Sequence, residues 1–418
     1  MILNARSGGV QVYQKMVEDE RVRMVSMLLI QMKSMERSGP ASSLVRDQVK
    51  YLIQQMEDES RTPQDKVRTA ILAGETLGDE EALQRLSAMS EVSDPAIQED
   101  IRSVRVIFQD GPSALSEDAR GELVRRHGYL GRLALVHGVP ADQEPRKTLE
   151  GEARRFTMRV TLVGVGLVIL MMLALGAFIF GAVWWLKGKI RPAYAPGKTG
   201  RGVFLEVFAL YLVLYIALGP VLRYIGSVSV QWTWMALLIL PVVWMWASLR
   251  GTSAEERRLA FGWHRGSGVL KEMAAGIGGY LAGLVIVACG ILVTVFLIRV
   301  TGVRAASPIV QELGGGPWRL AGLYALACVF APVMEETMFR GALFHHLRQR
   351  WGWAFSAVLV SAIFAMLHPQ GWVAIPALGS IAIVLAALRE WRGSLIAPMT
   401  AHACSNFLVL TLALVLLR

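Results

Sequence analysis

Residues 320–340 read LAGLYALACVFAPVMEETMFR: an uncharged apolar run from Leu320 to Met334, then Glu335, Glu336 and Arg340. The run alone predicts a helix at membrane depth. Two adjacent carboxylates at its end are costly there, because a charge in hydrocarbon loses its hydration, and such residues are functional-site candidates by default. Working outward, further apolar runs surround this one. They predict an all-α chain: a polytopic membrane helical bundle of about eight spans, preceded by an N-terminal soluble helical domain.

Composition supports that reading. The 418 residues are 54% hydrophobic, with a mean hydropathy of +0.43, too apolar for an ordinary soluble protein. Charge is unevenly divided. The first 159 residues carry 23 Lys+Arg and 25 Asp+Glu, a net of −2; the remainder carries 20 and 8, a net of +12, and contains no aspartate. The basic excess therefore lies in the apolar part, where it suits loops facing an anionic leaflet and argues against nucleic-acid binding. Cys289, Cys328 and Cys404 all fall in apolar runs, so no disulfide framework or paired-cysteine metal knuckle is expected. No signal peptide is read at the N-terminus. Localisation is expected to be that of a multi-pass integral membrane protein of the cell (inner) membrane.

The pattern divides the chain into residues 1–155 and 156–418. In the first part, Ser43–Met56, Val67–Leu77, Glu80–Met89 and a helix pair over Glu117–Val136 carry apolar residues at helical spacing. This domain is expected to regulate or to bind a partner. Predicted spans follow at Val160–Leu186, Val203–Ile225, Trp232–Leu249, Met273–Leu297, Leu320–Met334, Trp353–Leu367, Trp372–Leu388 and Ser394–Leu417. Lys and Arg counts assign the connections Lys187–Arg201, Arg250–Lys271 and Glu335–Arg350 to the cytoplasmic side. Those assignments would put the N-terminal domain outside, whereas Arg146, Lys147, Arg154, Arg155 and Arg159 before the first span argue for a cytoplasmic one. Trp351, Trp353, Trp372 and Trp391 read as interfacial anchors, and His345-His346 as part of a basic interfacial face.

The polar residues of the apolar half form three groups. Glu336 and Arg340 are four apart, one helical turn, so they can pair. Glu335 points about 100° away from Glu336, free to face a cavity and to take a proton from water. His368 closes the run Phe364–His368. His402 and Asn406, also four apart, share a face of the last apolar helix. Each group alone has an ordinary structural reading, as an ion pair, an interfacial histidine or an interhelical hydrogen bond.

Together, and in this order, they resemble the CAAX-protease and bacteriocin-processing (CPBP, or Abi) family of intramembrane proteases, which includes the Ras-converting CAAX prenyl endopeptidase. That family carries Glu-Glu-x-x-x-Arg, Phe-x-x-x-His and His-x-x-x-Asn motifs, matched here by Glu335–Arg340, Phe364–His368 and His402–Asn406. The resemblance covers residues 319–417. It implies an endopeptidase acting on a membrane-associated protein or peptide. Glu335 would be the general base on water, His368 its positioner, and His402 and Asn406 oxyanion donors, with Glu336 and Arg340 tuning the base. The family has been described both as metalloproteases and as metal-independent glutamate proteases. The resemblance thus leaves zinc open, with Glu335, His368 and His402 as its ligands. A different class of function is a catalytically silent scaffold or immunity-type protein recruiting partners through residues 1–155. A proton-coupled transporter is disfavoured by the lack of paired inverted repeats.

Overall fold

The computed structural model describes residues 2–36, 42–60, 62–196, 202–224, 239–303, 313 and 316–417. Every regular element among them is a helix. The chain divides into two compact units at Gly164/Val165. The boundary falls inside one long helix, Arg146–Leu186.

The first unit is a small helical domain built around Pro63–Leu77, in which every residue from Val67 to Thr76 is buried. Local sequence explains where that helix starts and stops. Thr62 and Asp65 form a reciprocal capping box and Pro63 occupies the first turn, while Gly78, at φ 124°, ends it. Around it pack Ser42–Glu59, Asp79–Ser87 and Pro95–Asp110. Leu29, Ile53, Ile71, Leu72, Leu86, Ile107 and Leu123 are fully enclosed, each worth about 1.5–3 kcal/mol of apolar transfer. The short apolar run Met24–Ile30 supplies Met27, Leu29 and Ile30 to this core, from within the helix Ile2–Glu36.

One buried carboxylate ties this core together. Glu75 accepts from His137 Nδ1 at 2.7 Å and from Arg146 Nη2 at 3.0 Å. Donating to the Glu75 carboxylate raises the His137 pKa above its ordinary 6.5. Because the native value is the higher one, the contribution is complete below about pH 6.5 and is lost as pH rises through the native value. Hydrogen exchange of the Pro63–Leu77 amides in the full-length protein should therefore speed up, after correction for intrinsic rates, on going to alkaline pH. His137→Gln should flatten that dependence; an unchanged slope would assign the effect to another group.

Among the described residues, five helices are long and apolar enough to cross a membrane: Arg146–Leu186, Val269–Thr301, Pro317–Arg348, Trp372–Arg392 and Ile396–Leu416. Three more helices are apolar: Val203–Tyr224, Ile239–Leu249, which begins where the described residues resume, and Trp353–Leu367. Each of the eight predicted spans falls on one of these helices. Trp353–Leu367, 15 residues at 1.5 Å each, is shorter than the ~30 Å hydrocarbon thickness. Residue 225 and residues 232–238 of the predicted spans lie outside the described residues.

The bundle is organised around Trp372–Arg392, the most enclosed of the five, with half of its apolar window buried. It lies against Val269–Thr301 on one side and Trp353–Leu367 on the other. Gly279, Gly283 and Gly290 face Leu388, Val384 and Ser380 so closely that a Cβ at any of them would collide. Small residues permit the close helix approach that packing in lipid requires. By contrast, the apolar window of Arg146–Leu186 is only 6% buried, so Leu162, Val168, Met172 and Phe180 present an apolar outer surface. Trp351, Trp353 and Trp372 are exposed, whereas Trp391 is partly buried beneath the Arg392 guanidinium.

Two sequence readings change at this level. The stretch Glu335–Arg350, counted as a cytoplasmic connection, is mostly interior: Glu336 and Arg340 are wholly buried, and Phe339 through Leu347 are enclosed. A rule that counts loop charges does not apply to an arginine paired inside the bundle. His345 and His346 are likewise buried and do not form an exposed basic face. His345 Nδ1 lies 2.5 Å from the Tyr194 hydroxyl, whose pKa burial pushes up to about 12.

Candidate active site

The helix that carries Glu335 is not a regular α-helix throughout. Within Pro317–Arg348, the segments Leu326–Phe330 and Thr337–Leu343 are π-helical, and Ala331–Glu336 between them is α-helical. Each wide turn exposes backbone carbonyls that side chains from other helices then use, as is common where π-turns occur at functional sites. Asn406 Nδ2 donates to Ala327 O at 2.7 Å. Arg389 Nε donates to Arg340 O at 3.2 Å.

Arg340 is completely buried. Its Nη1 donates to Glu336 Oε1 at 3.1 Å and its Nη2 to Ala382 O at 3.0 Å. The guanidinium sits 4.6 Å over the Phe364 ring, a favourable cation–π placement. Glu336 Oε1 also accepts from His402 Nδ1 at 2.8 Å. The pair read from local spacing is therefore part of a three-residue chain, Arg340–Glu336–His402.

That chain fixes the His402 tautomer. A proton on Nδ1 is held by the Glu336 carboxylate, which leaves Nε2 with its lone pair. His368 repeats the arrangement with a different acceptor: its Nδ1 donates to Phe364 O at 2.7 Å. Both free Nε2 atoms face Glu335. His402 Nε2 lies 3.8 Å and His368 Nε2 4.0 Å from Glu335 Oε2. This oxygen is buried and has no hydrogen-bond partner among the described residues. Three lone-pair atoms from three helices thus converge, and one water could bond to any two of them at about 2.8 Å.

Phe364 organises the packing beneath these groups. Its ring lies 4.2 Å from that of His368, 6.1 Å from that of His402 and 5.0 Å from that of Phe339. The phenylalanine of the Phe-x-x-x-His pattern therefore touches every histidine of the site and its arginine.

All six expected site residues, Glu335, Glu336, Arg340, His368, His402 and Asn406, fall in one region of the bundle. Glu335, Glu336, Arg340, His368 and His402 form one linked cluster. Asn406, a turn further along, is bonded to Ala327. The sequence reading missed Arg389. It is fully buried, donates to the carbonyls of Arg340, Leu259, Ala260 and Gly393, and lies 4.5 Å over the Tyr194 ring. An arginine at the end of the apolar run Ile381–Leu388 was a usable signal, since buried cations at that depth require partners.

The donors expected for zinc are of a suitable kind, with both imidazoles oriented through Nδ1. Their spacing is another matter. A tetrahedral ion about 2.1 Å from each donor brings donors to about 3.4 Å from one another, and here the separations are 3.8 and 4.0 Å. Among the described residues, no group of three or more His, Cys, Asp or Glu is arranged to hold a metal ion.

Comparison with known proteins bears on this same segment. Residues 317–408 match the family model described as type II CAAX prenyl endopeptidase, Rce1-like. The match spans all three motifs, and the family resemblance of this segment to the CAAX proteases holds. No curated protein and no solved structure matches the chain.

Proposed function

We propose that this protein is an intramembrane endopeptidase that hydrolyses a peptide bond of a membrane-associated protein or peptide, with Glu335 as the general base. The observation that carries the reading is the approach of His402 Nε2 and His368 Nε2 to Glu335 Oε2, at 3.8 and 4.0 Å. Water held between Glu335 and His368 gives its proton to the Glu335 carboxylate as its oxygen attacks the scissile carbonyl carbon. The carbonyl π pair moves onto oxygen. When that pair returns, the C–N bond breaks and the Glu335 proton passes to the leaving nitrogen.

Glu336 has a separate task. Bonded to His402 Nδ1, it holds the imidazole in position beside the developing oxyanion. Arg340 and Phe364 hold Glu336 and His368 in register. The second N–H of Asn406 remains for the same oxyanion. No step is assigned to a metal ion.

The test is a comparison of membrane proteomes from cells making wild-type or Glu335→Gln protein. An uncut precursor should accumulate with the variant, and its new C- or N-terminus in the wild-type sample should mark the cleaved bond. Identical membrane peptide profiles would leave the non-enzymatic reading, a scaffold acting through the N-terminal domain, as the better account.

A further inference from the structure

The π-turn Thr337–Leu343 follows directly on Glu335 and Glu336, and its register decides where they point. Such a turn holds one residue more than an α-helical one. Closing it to α-geometry would rotate the two glutamates by about 100° relative to Phe344–Arg348. Closure is disfavoured when a carbonyl inside the turn already has a partner on another helix. Arg340 O is such a carbonyl, and its donor is Arg389 Nε at 3.2 Å.

The rest of the guanidinium grips residues 250–268, which join Ile239–Leu249 to Val269–Thr301. Arg389 Nη2 donates to Leu259 O at 3.0 Å and to Ala260 O at 2.9 Å, and Nη1 donates to Gly393 O. Gly262, at φ 67°, leaves room for it, because a Cβ there would collide with Arg389 Nη1. The same connection meets the π-turn at two more places. Trp263 Nε1 donates to Thr337 Oγ1 at 3.0 Å, and a Cβ on Gly341 would come within 3.1 Å of Phe261 Cα. Phe261 is itself fully buried. Among the described residues no carboxylate is paired with Arg389; the Tyr194 ring covers it instead. An enclosed cation without a counter-charge is costly, and in a membrane helix it is a functional candidate by default.

We infer that Arg389 is a positioning residue for the hydrolysis: its guanidinium clamps the connection 250–268 to the π-turn and so fixes the direction of the Glu335 and Glu336 carboxylates. The inference rests on the hydrolytic reading. All of its hydrogen bonds go to backbone carbonyls, so Arg389 acts through the turn and touches no reacting atom. An ammonium in its place lacks the planar fork that reaches several carbonyls at once.

The experiment uses full-length protein in proteoliposomes and the precursor that accumulates with Glu335→Gln. Rates are taken per folded molecule, well below each variant's unfolding midpoint. Arg389→Lys keeps the charge and loses the fork. Its kcat should fall about 10–100-fold, since misplacing a catalytic group by about 1 Å can cost about 10²-fold, with KM changed by less than about threefold. Gly262→Ala reaches the same end with Arg389 intact, because its Cβ drives the guanidinium aside. Gly188→Ala is the control: at φ 66° with open space around it, it carries the same backbone strain without the collision. Gly262→Ala should lose kcat as Arg389→Lys does, and Gly188→Ala should stay close to wild type. If Arg389→Lys does not fold, the two glycine variants decide. A kcat within about threefold of wild type in folded Arg389→Lys or Gly262→Ala, where Glu335→Gln is inactive, would overturn the role of Arg389 alone, even if the unfolding midpoint drops. Activity retained by Glu335→Gln would instead remove the hydrolytic premise and the inference with it.

Discussion

Glu335→Gln is expected to remove peptide-bond hydrolysis while leaving the protein folded. The amide cannot accept a proton from water, and loss of a positioned general base costs typically about 10²–10⁴-fold in rate. Stability should change little, because the Glu335 carboxylate is not part of the Arg340–Glu336–His402 chain and its Oε2 has no hydrogen-bond partner to lose. The measurement is the initial rate of precursor cleavage in proteoliposomes, paired with a thermal unfolding curve. His402→Ala should show a comparable loss of rate, since it deletes the imidazole 3.8 Å from the same oxygen. Full activity in both variants, with normal unfolding, would end the assignment of this cluster to catalysis.

Arg340→Ala is expected to have the largest effect on stability. Arg340 and Glu336 are both fully buried, and the guanidinium also bonds Ala382 O and covers Phe364. Removing it leaves Glu336 as an enclosed carboxylate with His402 as its one remaining partner among the described residues. Breaking a buried pair in this way costs about 3–5 kcal/mol, chiefly because the surviving charge is uncompensated. A large drop in the unfolding midpoint should follow, with hydrolysis lost as well. Arg340→Lys should not restore it, because an ammonium cannot reproduce the planar fork that spans a carboxylate and a carbonyl. Combining Arg340→Met with Glu336→Gln should recover part of the stability and none of the activity, because no buried charge is then left alone. A double variant as unstable as Arg340→Ala would contradict this account of the pair.

Much of this could be read before any coordinates. The first unit's helices Ser42–Glu59, Pro63–Leu77 and Asp79–Ser87 follow from apolar spacing, proline and capping residues, all local signals. The Glu336–Arg340 bond is equally local, one helical turn long. Other features depended on partners distant in the chain. The bond from His402 to Glu336 spans 66 positions, and that from Asn406 to Ala327 spans 79. The second also uses a carbonyl freed by a π-turn, which apolar spacing does not reveal. Counting charges in connections misread Glu335–Arg350 for the same reason: whether an arginine is solvated or enclosed is decided by the helices beside it.

Residue order by itself determined that this chain is helical, that its second part is apolar enough to enter a membrane, and that three polar motifs lie on separate helices. Those properties follow from backbone periodicity and from the free energy of transferring side chains out of water, both summed over neighbours in the chain. Only the tertiary structure decided which histidine nitrogens face Glu335, which carboxylate orients His402, and that Arg340 and Arg389 are enclosed. Hydrogen-bond direction and burial are properties of contacts between helices, and such contacts exist only once the bundle has packed.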